Sequence, residues 1–282
     1  MRIARVVADG DATFAVQARD DSWVPLEKLG VEVDTTPEVI ARSAEIAESQ
    51  QDATNGLRDP QFLSPVVAPS KMLAIGLNYM DHIREQDGTA PEHPIVFAKY
   101  PSSLNDPTGD IIVDPDLTQR ADYEVELAVI IGEKTRSIGT DSALSVVYGY
   151  AVANDVSARD WQRKDGQFSR SKGFDTFCPI GPWITTADEI EHPNALAIKS
   201  WVNGETRQDS TTKEMIFSVP YLIWYLARGM TLEPGDVILT GTPHGVGFAM
   251  DPPQYLAVGD LVECEIDGLG RLSNRVIGPL SR

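Results

Sequence analysis

The chain has 282 residues, enough for one large domain or two smaller ones, and its 42 acidic against 24 basic side chains give a formal charge of −18. That charge argues against a nucleic-acid or anionic-membrane partner and fits a protein that binds cations. The two cysteines, Cys178 and Cys264, have neither metal-ligand nor redox spacing, and no apolar stretch is long enough to span a bilayer, so a reducing cytoplasm is the expected setting.

The first ten residues, Met1 to Gly10, turn polar too soon for a signal peptide and read as a first strand. Residues 1 to 30 read as short strands with turns at Asp9-Gly10 and Asp20-Asp21. Thr36-Pro37-Glu38 reads as a helix start, with Thr36 as N-cap and Pro37 at the first helical position. Val39, Ile40, Ala44 and Ala47 continue it as an apolar stripe to about Gln50. Residues 51 to 61 are polar, and Pro65 to Ser70 connects into a buried strand, Met72–Gly76. These features predict a small α+β N-terminal domain over residues 1–68 and a body over residues 69–282.

In the body, strands are expected at 95–98, 111–113, 123–131, 147–153, 182–185, 197–202, 236–240 and 261–266. One helix starts at Ser218, runs through Pro220 to Ala227 and stops at Gly229. Short strands without regular helix alternation predict a β-rich α+β fold rather than a doubly wound sheet.

Three acids border apolar runs. Glu124 and Glu126 open a run that ends at Ile131, and Asp155 closes the run Tyr150-Ala-Val-Ala-Asn154. Alternate strand residues share a face and lie roughly 6.5 Å apart. Buried carboxylates need a counter-charge, and one hard divalent cation held by oxygen ligands compensates all three. The alternative for a lone Glu-x-Glu is a solvated strand face. Glu263-Cys-Glu265-Ile-Asp267 reads that way, because only Val262, Cys264 and Ile266 are apolar and a turn, Asp267 to Gly270, follows.

Further candidates surround these acids. His82 and Glu85 are three apart, so on a helical turn they are neighbours, and a carboxylate beside an imidazole suits a general base. The polar stretch Gln86 to His93 reads as part of a lid. On its residues alone Lys172 reads as a surface lysine paired with a neighbour such as Asp175, the other reading being a second positive charge beside the ion-bound oxygen. Arg159, Arg163, Lys164 and Arg170 add local positive charge that would attract an anion, although Arg159 could instead pair with Asp160 or Asp155. His93 and His192 read as loop residues. Thr242-Pro-His244-Gly-Val-Gly247 lacks the lysine of a phosphate loop and reads as a turn whose Thr242 hydroxyl could hold a carboxylate.

Several motifs, taken in order, resemble the fumarylacetoacetate hydrolase family: Ile75 to His82, Phe97-Ala-Lys99, Asp122 to Glu126, Asn154 to Gln162, Lys172 to Pro182, and Thr240 to Gly247. The resemblance covers about residues 70 to 278 and carries little over the first 65. It implies a mixed β-sandwich roll and a dimer. It implies Mg²⁺ or Mn²⁺ as cofactor, with Ca²⁺ as a non-activating substitute, and small anionic 2-oxo or 1,3-dioxo acids as substrates. By position it makes Glu124, Glu126 and Asp155 the metal ligands and Lys172 the lysine beside them. His82 and Glu85 become the catalytic pair of acylpyruvase-like members, and Tyr79, Arg159, Gln162 and Thr242 contact the substrate.

The function this implies is cleavage of a carbon–carbon bond in a small 1,3-diketo acid, an acylpyruvate or 2,4-diketo-3-deoxy sugar acid, through an enolate stabilised by the ion. The same site would serve an oxaloacetate decarboxylase or a 2-hydroxy-dienedioate isomerase. A reading from another class is a non-catalytic β-domain with a structural Ca²⁺ near Asp114-Pro-Asp116.

Overall fold

Residues 125–131 form a strand with every side chain buried, and the molecule is arranged around it. The computed structural model describes residues 1–51 and 53–279. Its N-terminal part holds β1 (Arg2–Ala8), β2 (Asp11–Gln17), β3 (Trp23–Pro25), α1 (Thr36–Ala41), α2 (Ser43–Gln50) and β4 (Phe62–Leu63). There follow β5 (Met72–Gly76), α3 (Met80–Glu85), β6 (Ile95–Lys99), β7 (Leu104–Asn105), β8 (Ile111–Ile112), β9 (Ala121–Asp122), β10 (Val125–Ile131) and β11 (Val147–Asn154). The remainder is β12 (Ser157–Ala158), α4 (Arg159–Asp165), β13 (Cys178–Thr186), β14 (Ala197–Val202), β15 (Glu205–Thr211), α5 (Val219–Ala227), β16 (Val237–Leu239), β17 (Leu261–Ile266) and β18 (Gly270–Ile277).

The main sheet runs β3-β2-β1-β13-β11-β10-β16-β5-β6, with β4 on β1 and β7 on β13. A second sheet runs β15-β14-β17-β18-β8, and β9 and β12 form a separate pair. The two faces of β10 divide between two cores. Val125, Leu127, Val129 and Ile131 pack toward α5 and the second sheet, through Ile198, Ile266, Leu222 and Leu226. Ala128 and Ile130 pack toward α1 and α2, through Val39 and Ile46. Each fully buried aliphatic side chain contributes about 1.5–3 kcal/mol, so a strand covered on both sides is firmly held. The result is the β-rich α+β roll expected from the sequence.

Hydrogen bonding crosses the expected boundary at residue 68. β1 pairs antiparallel with β13, Arg2 opposite Thr185 and Ala4 opposite Trp183, so the first strands widen the body's sheet.

Local differences from the sequence reading have local causes. The N-cap of α1 is Thr35, not Thr36. Thr35 Oγ1 accepts from Glu38 N, and Glu38 Oε2 accepts from Thr35 N at 2.9 Å, which makes a capping box. The Thr36 hydroxyl instead donates to Pro65 O at 2.8 Å and ties the helix to the connector. The helix also breaks at Arg42, giving two short helices in place of one. β13 begins at Cys178 rather than at 182, because Pro179 and Pro182 interrupt the sequence pattern but not the strand. β10 begins at Val125, since Glu124 N donates to the Asn154 side chain at 3.0 Å rather than to a ladder carbonyl. Among the described residues no helix is long and apolar enough to cross a membrane.

Candidate active site

Glu124, Glu126 and Asp155 meet at one end of β10 and β11. One carboxylate oxygen from each lies within 4.8 Å of the other two, and all three side chains are buried. The pairing of β10 with β11 causes this. Val125 sits opposite Asn154, so the residues flanking that pair are brought together, and Asp155 N donates to Glu124 O at 2.9 Å.

Three cations compensate part of the charge. Lys172 Nζ bridges Glu124 Oε2 at 2.5 Å and Asp155 Oδ2 at 2.6 Å. Lys99, with no exposed side-chain surface, donates to Asp155 Oδ1 at 2.7 Å and to Phe177 O at 2.8 Å. Arg159 donates to Glu124 Oε1 at 2.5 Å and to Asp122 Oδ2 at 2.9 Å. Asp122 in turn accepts from Gly247 N at 2.8 Å and Phe248 N at 3.1 Å, and the Arg159 guanidinium lies 4.5 Å from the centre of the Phe248 ring.

The charges do not balance. Four carboxylates, Glu124, Glu126, Asp155 and Asp122, face three cations, Lys172, Lys99 and Arg159, which leaves one negative charge in a buried cluster. Glu126 is where a proton relieves that excess when no ion is bound. Its Oε2 accepts one bond, from Gly241 N at 2.7 Å, and no side-chain cation pairs with it among the described residues. Burial, with Asp155 and Glu124 beside it, pushes its carboxyl well above the usual range. Burial acts on Glu124 in the same direction, but Arg159 and Lys172 outweigh it and hold that carboxyl at about 2. Burial would lower Lys172, yet Asp155 and Glu124 raise it, so it stays charged. An all-oxygen donor set with an uncompensated carboxylate fits a hard divalent ion.

The cluster opens into a cavity of about 280 Å³ lined by Glu124, Glu126, Lys172, Arg159, Gln162 and His82, among others. His82 comes from α3, which docks on the turn after β16. Glu85 Oε1 accepts from Gly245 N at 2.7 Å, and Asp81 Oδ2 accepts from the Ser210 hydroxyl and pairs with His244 Nδ1 at 3.0 Å. His82 Nδ1 lies 3.0 Å from Glu85 Oε2, and Gln86 Nε2 lies 3.0 Å from His82 Nε2. The carboxylate only accepts and the amide nitrogen only donates, so Nδ1 carries the proton and Nε2 offers a lone pair.

The other candidates are placed as follows. Gln162 lines the cavity with its Oε1 accepting from Arg159 at 3.2 Å. Thr242 lines it too, but its hydroxyl donates to Val125 O at 2.9 Å and accepts from Gln208 Nε2 at 2.8 Å. Tyr79 is fully buried and does not line the cavity. Arg159 pairs with Asp122 and Glu124 rather than with Asp160, whose Oδ1 accepts from the Thr118 hydroxyl at 2.6 Å. His93 stacks on Tyr225, and His192 is exposed beside Glu191. In β17, Glu263 and Glu265 are half-buried and pair with Arg271 at 3.0 and 3.7 Å, as a solvated strand face would, and Asp267 lies in the turn that follows.

Asp122, Lys99, Gln86 and Phe248 have no part in the chemistry read from the sequence, although Asp122 and Lys99 stand in its motifs and Gln86 opens its lid stretch. Two of them carried a signal. Asp122 has the spacing of Glu124 and Glu126, and Lys99 ends an apolar run, Ile95 to Ala98, as Asp155 does.

A β-rich roll with buried acids beside a histidine–carboxylate pair defines an enzyme class, and comparison with known proteins places the chain in it. The fumarylacetoacetate (FAA) hydrolase C-terminal family matches residues 71–277. Oxaloacetate tautomerase Fahd2a, mitochondrial, from Rattus norvegicus is 46% identical over 217 residues, covering 77% of this chain and 69% of that protein. The structure of fumarylacetoacetate hydrolase from psychrophilic Exiguobacterium antarcticum matches with a TM-score of 0.89 at 40% identity, covering 99% of this chain and 100% of the other. Maleylpyruvate hydrolase from Sphingobium sp. SYK-6, solved with manganese(II) and pyruvate, matches with a TM-score of 0.82 at 29% identity over 99% and 100% of the two chains. The chain belongs to the fumarylacetoacetate hydrolase family and is an enzyme, which sets aside the non-catalytic reading.

Proposed function

We propose that the protein interconverts the keto and enol forms of a small 2-oxo acid, with oxaloacetate the leading candidate, at a site that uses Mg²⁺ or Mn²⁺. The observation that carries this reading is the single cavity shared by Glu124, Glu126, Lys172 and the His82 imidazole. Similarity to an oxaloacetate tautomerase supports the choice of substrate. Glu124, Glu126 and Asp155 would hold the ion. When bound, it supplies Lewis-acid polarisation of a carbonyl and a positive charge.

The chain's own residues do the rest. Lys172 puts an ammonium at the cavity wall, which can turn from Glu124 and Asp155 toward a developing oxyanion and favour it. His82 Nε2, with Nδ1–H held by Glu85 and its lone pair released by the Gln86 amide as substrate enters, removes the proton from the carbon next to the keto group. The carbon–hydrogen electron pair becomes the enol double bond, the carbonyl π pair moves onto the keto oxygen, and that oxygen takes a proton from solvent while the His82 imidazolium returns its own to solvent, so no net proton is gained or lost. Phe97, Phe168 and Phe248 line the cavity and limit water at the reacting carbon.

A second reading is supported by the likeness to maleylpyruvate hydrolase. There His82 takes a proton from water, the hydroxide adds to the distal carbonyl of a 1,3-diketo acid, the carbon–carbon bond breaks with its electron pair leaving as the enolate, and the enolate carbon takes the proton back from His82. A carboxylic acid and a 2-oxo acid result. Oxaloacetate decarboxylation and 2-hydroxy-dienedioate isomerisation use the same groups.

Following enol absorbance of oxaloacetate with added Mn²⁺, beside pyruvate formation and acylpyruvate cleavage, separates these. Enol loss faster than pyruvate release supports tautomerisation. Acylpyruvate cleavage without it supports hydrolysis, and no acceleration of any 2-oxo acid sinks both. We also infer a homodimer from the resemblance. The outer edge of β6, with Ile95 and Val96 exposed, supports association there, and light scattering tests it.

A further inference from the structure

We propose that Arg163 selects 2-oxo diacids over their mono-acid analogues by holding the far carboxylate. The inference rests on reading the cavity as a 2-oxo-acid site.

Arg159, Gln162 and Arg163 stand at i, i+3 and i+4 on α4 and share one helix face. All three line the cavity. Their charges are spent differently. Arg159 is committed to Asp122 and Glu124, and Lys172 to Glu124 and Asp155. Outside the cavity, Arg170 pairs with Asp165 at 2.7 Å and Lys164 lies 4.1 Å from the centre of the Trp161 ring. Among the described residues, Arg163 has no carboxylate within 4.0 Å and makes no side-chain hydrogen bond.

Among the described residues, Arg163, exposed at the cavity rim, is therefore the lining cation without a carboxylate partner. Gln162 adds to this. Its Oε1 accepts from Arg159, which leaves its Nε2 amide as a donor next to Arg163. A planar guanidinium beside a free amide donor suits a carboxylate, through charge-assisted bonds. The reacting end of a substrate belongs at Glu124, Glu126 and Lys172, so α4 is left for the other end. In a chain of charge −18, a second carboxylate on the substrate needs such a local cation.

The test compares malate with 2-hydroxybutyrate, which replaces the far carboxylate by a methyl group. Binding to the Mg²⁺-loaded protein is measured by calorimetry for wild type, Arg163→Gln and Arg163→Lys. Wild type should bind malate about tenfold more tightly. Arg163→Gln should erase that preference while leaving 2-hydroxybutyrate within about twofold, and Arg163→Lys should keep part of it. Equal affinities in wild type, or equal losses for both ligands in Arg163→Gln, overturn the proposal. No binding of malate overturns it together with the site reading. Malate preference lost in Arg163→Gln, with no 2-oxo acid turned over by wild type, upholds the anchor and refutes the proposed function.

Discussion

Lys99 and Asp155 form an ion pair with no side-chain exposure on either partner, Nζ to Oδ1 at 2.7 Å. Lys99, at the end of β6, takes Oδ1 and Lys172 takes Oδ2, so the two oxygens of Asp155 are fixed by two different lysines. Removing Lys99 leaves Asp155 with Lys172 alone and the cluster one cation poorer, and losing one member of a buried pair costs about 3–5 kcal/mol. Lys99→Met should lower stability by that amount, and Lys99→Met with Asp155→Asn should recover much of the loss. Urea unfolding of the singles and the double measures the coupling. Additive losses would mean that the pair does not act as a unit.

Glu126 gives a pH prediction. Its carboxyl is raised by burial and by Asp155 and Glu124, so without an ion the folded chain keeps that proton at pH values where the unfolded chain has released it. Folding of the metal-free protein is then increasingly penalised as pH rises above about 4.3. Metal-free Glu126→Gln should melt above wild type at pH 8, with the gap shrinking toward pH 5. Added Mg²⁺ should stabilise wild type and not the variant. Parallel melting profiles at all pH values would contradict this.

His82→Ala should lower kcat by about 10²–10⁴-fold, the range for loss of a general acid–base group. Glu85→Gln should fall less and shift the pH profile, since Glu85 orients His82 Nδ1 and also accepts from Gly245 N. Ion binding should be unchanged in both. A wild-type kcat in His82→Ala removes the base assignment.

Both thiols should be inert in the folded protein. Burial pushes the Cys178 thiol up to about 12 and raises Cys264 as well. An aromatic disulfide reagent should register two thiols only after denaturation. Fast native labelling of either would show that its surroundings open in solution.

The parts of the site legible in the sequence were those with a physical mark in one dimension. Glu124, Glu126 and Asp155 each interrupt an apolar run, and His82 and Glu85 stand at a helical spacing. The capping box at Thr35 and Glu38 was equally readable, but two adjacent threonines compete for the cap, and only the Thr36 contact with Pro65 decides it. The helices α3 and α4, of six and seven residues, are too short to show a period of 3.6. The commitment of Arg159 to Asp122 depends on a partner 37 residues away, and the burial of Tyr79 away from the cavity has no mark in the sequence around it. A strand-end acid that collects backbone N–H groups, as Asp122 does, looks in sequence like a solvated one.

Manganese-specific anomalous scattering from crystals soaked with Mn²⁺ and oxalate tests the central claim most directly. One ion within coordination distance of Glu124, Glu126 and Asp155, with oxalate completing its shell and the Lys172 ammonium moved toward the ligand, is the predicted result. Manganese elsewhere, or no signal there while Lys172 still bridges Glu124 and Asp155, would contradict it.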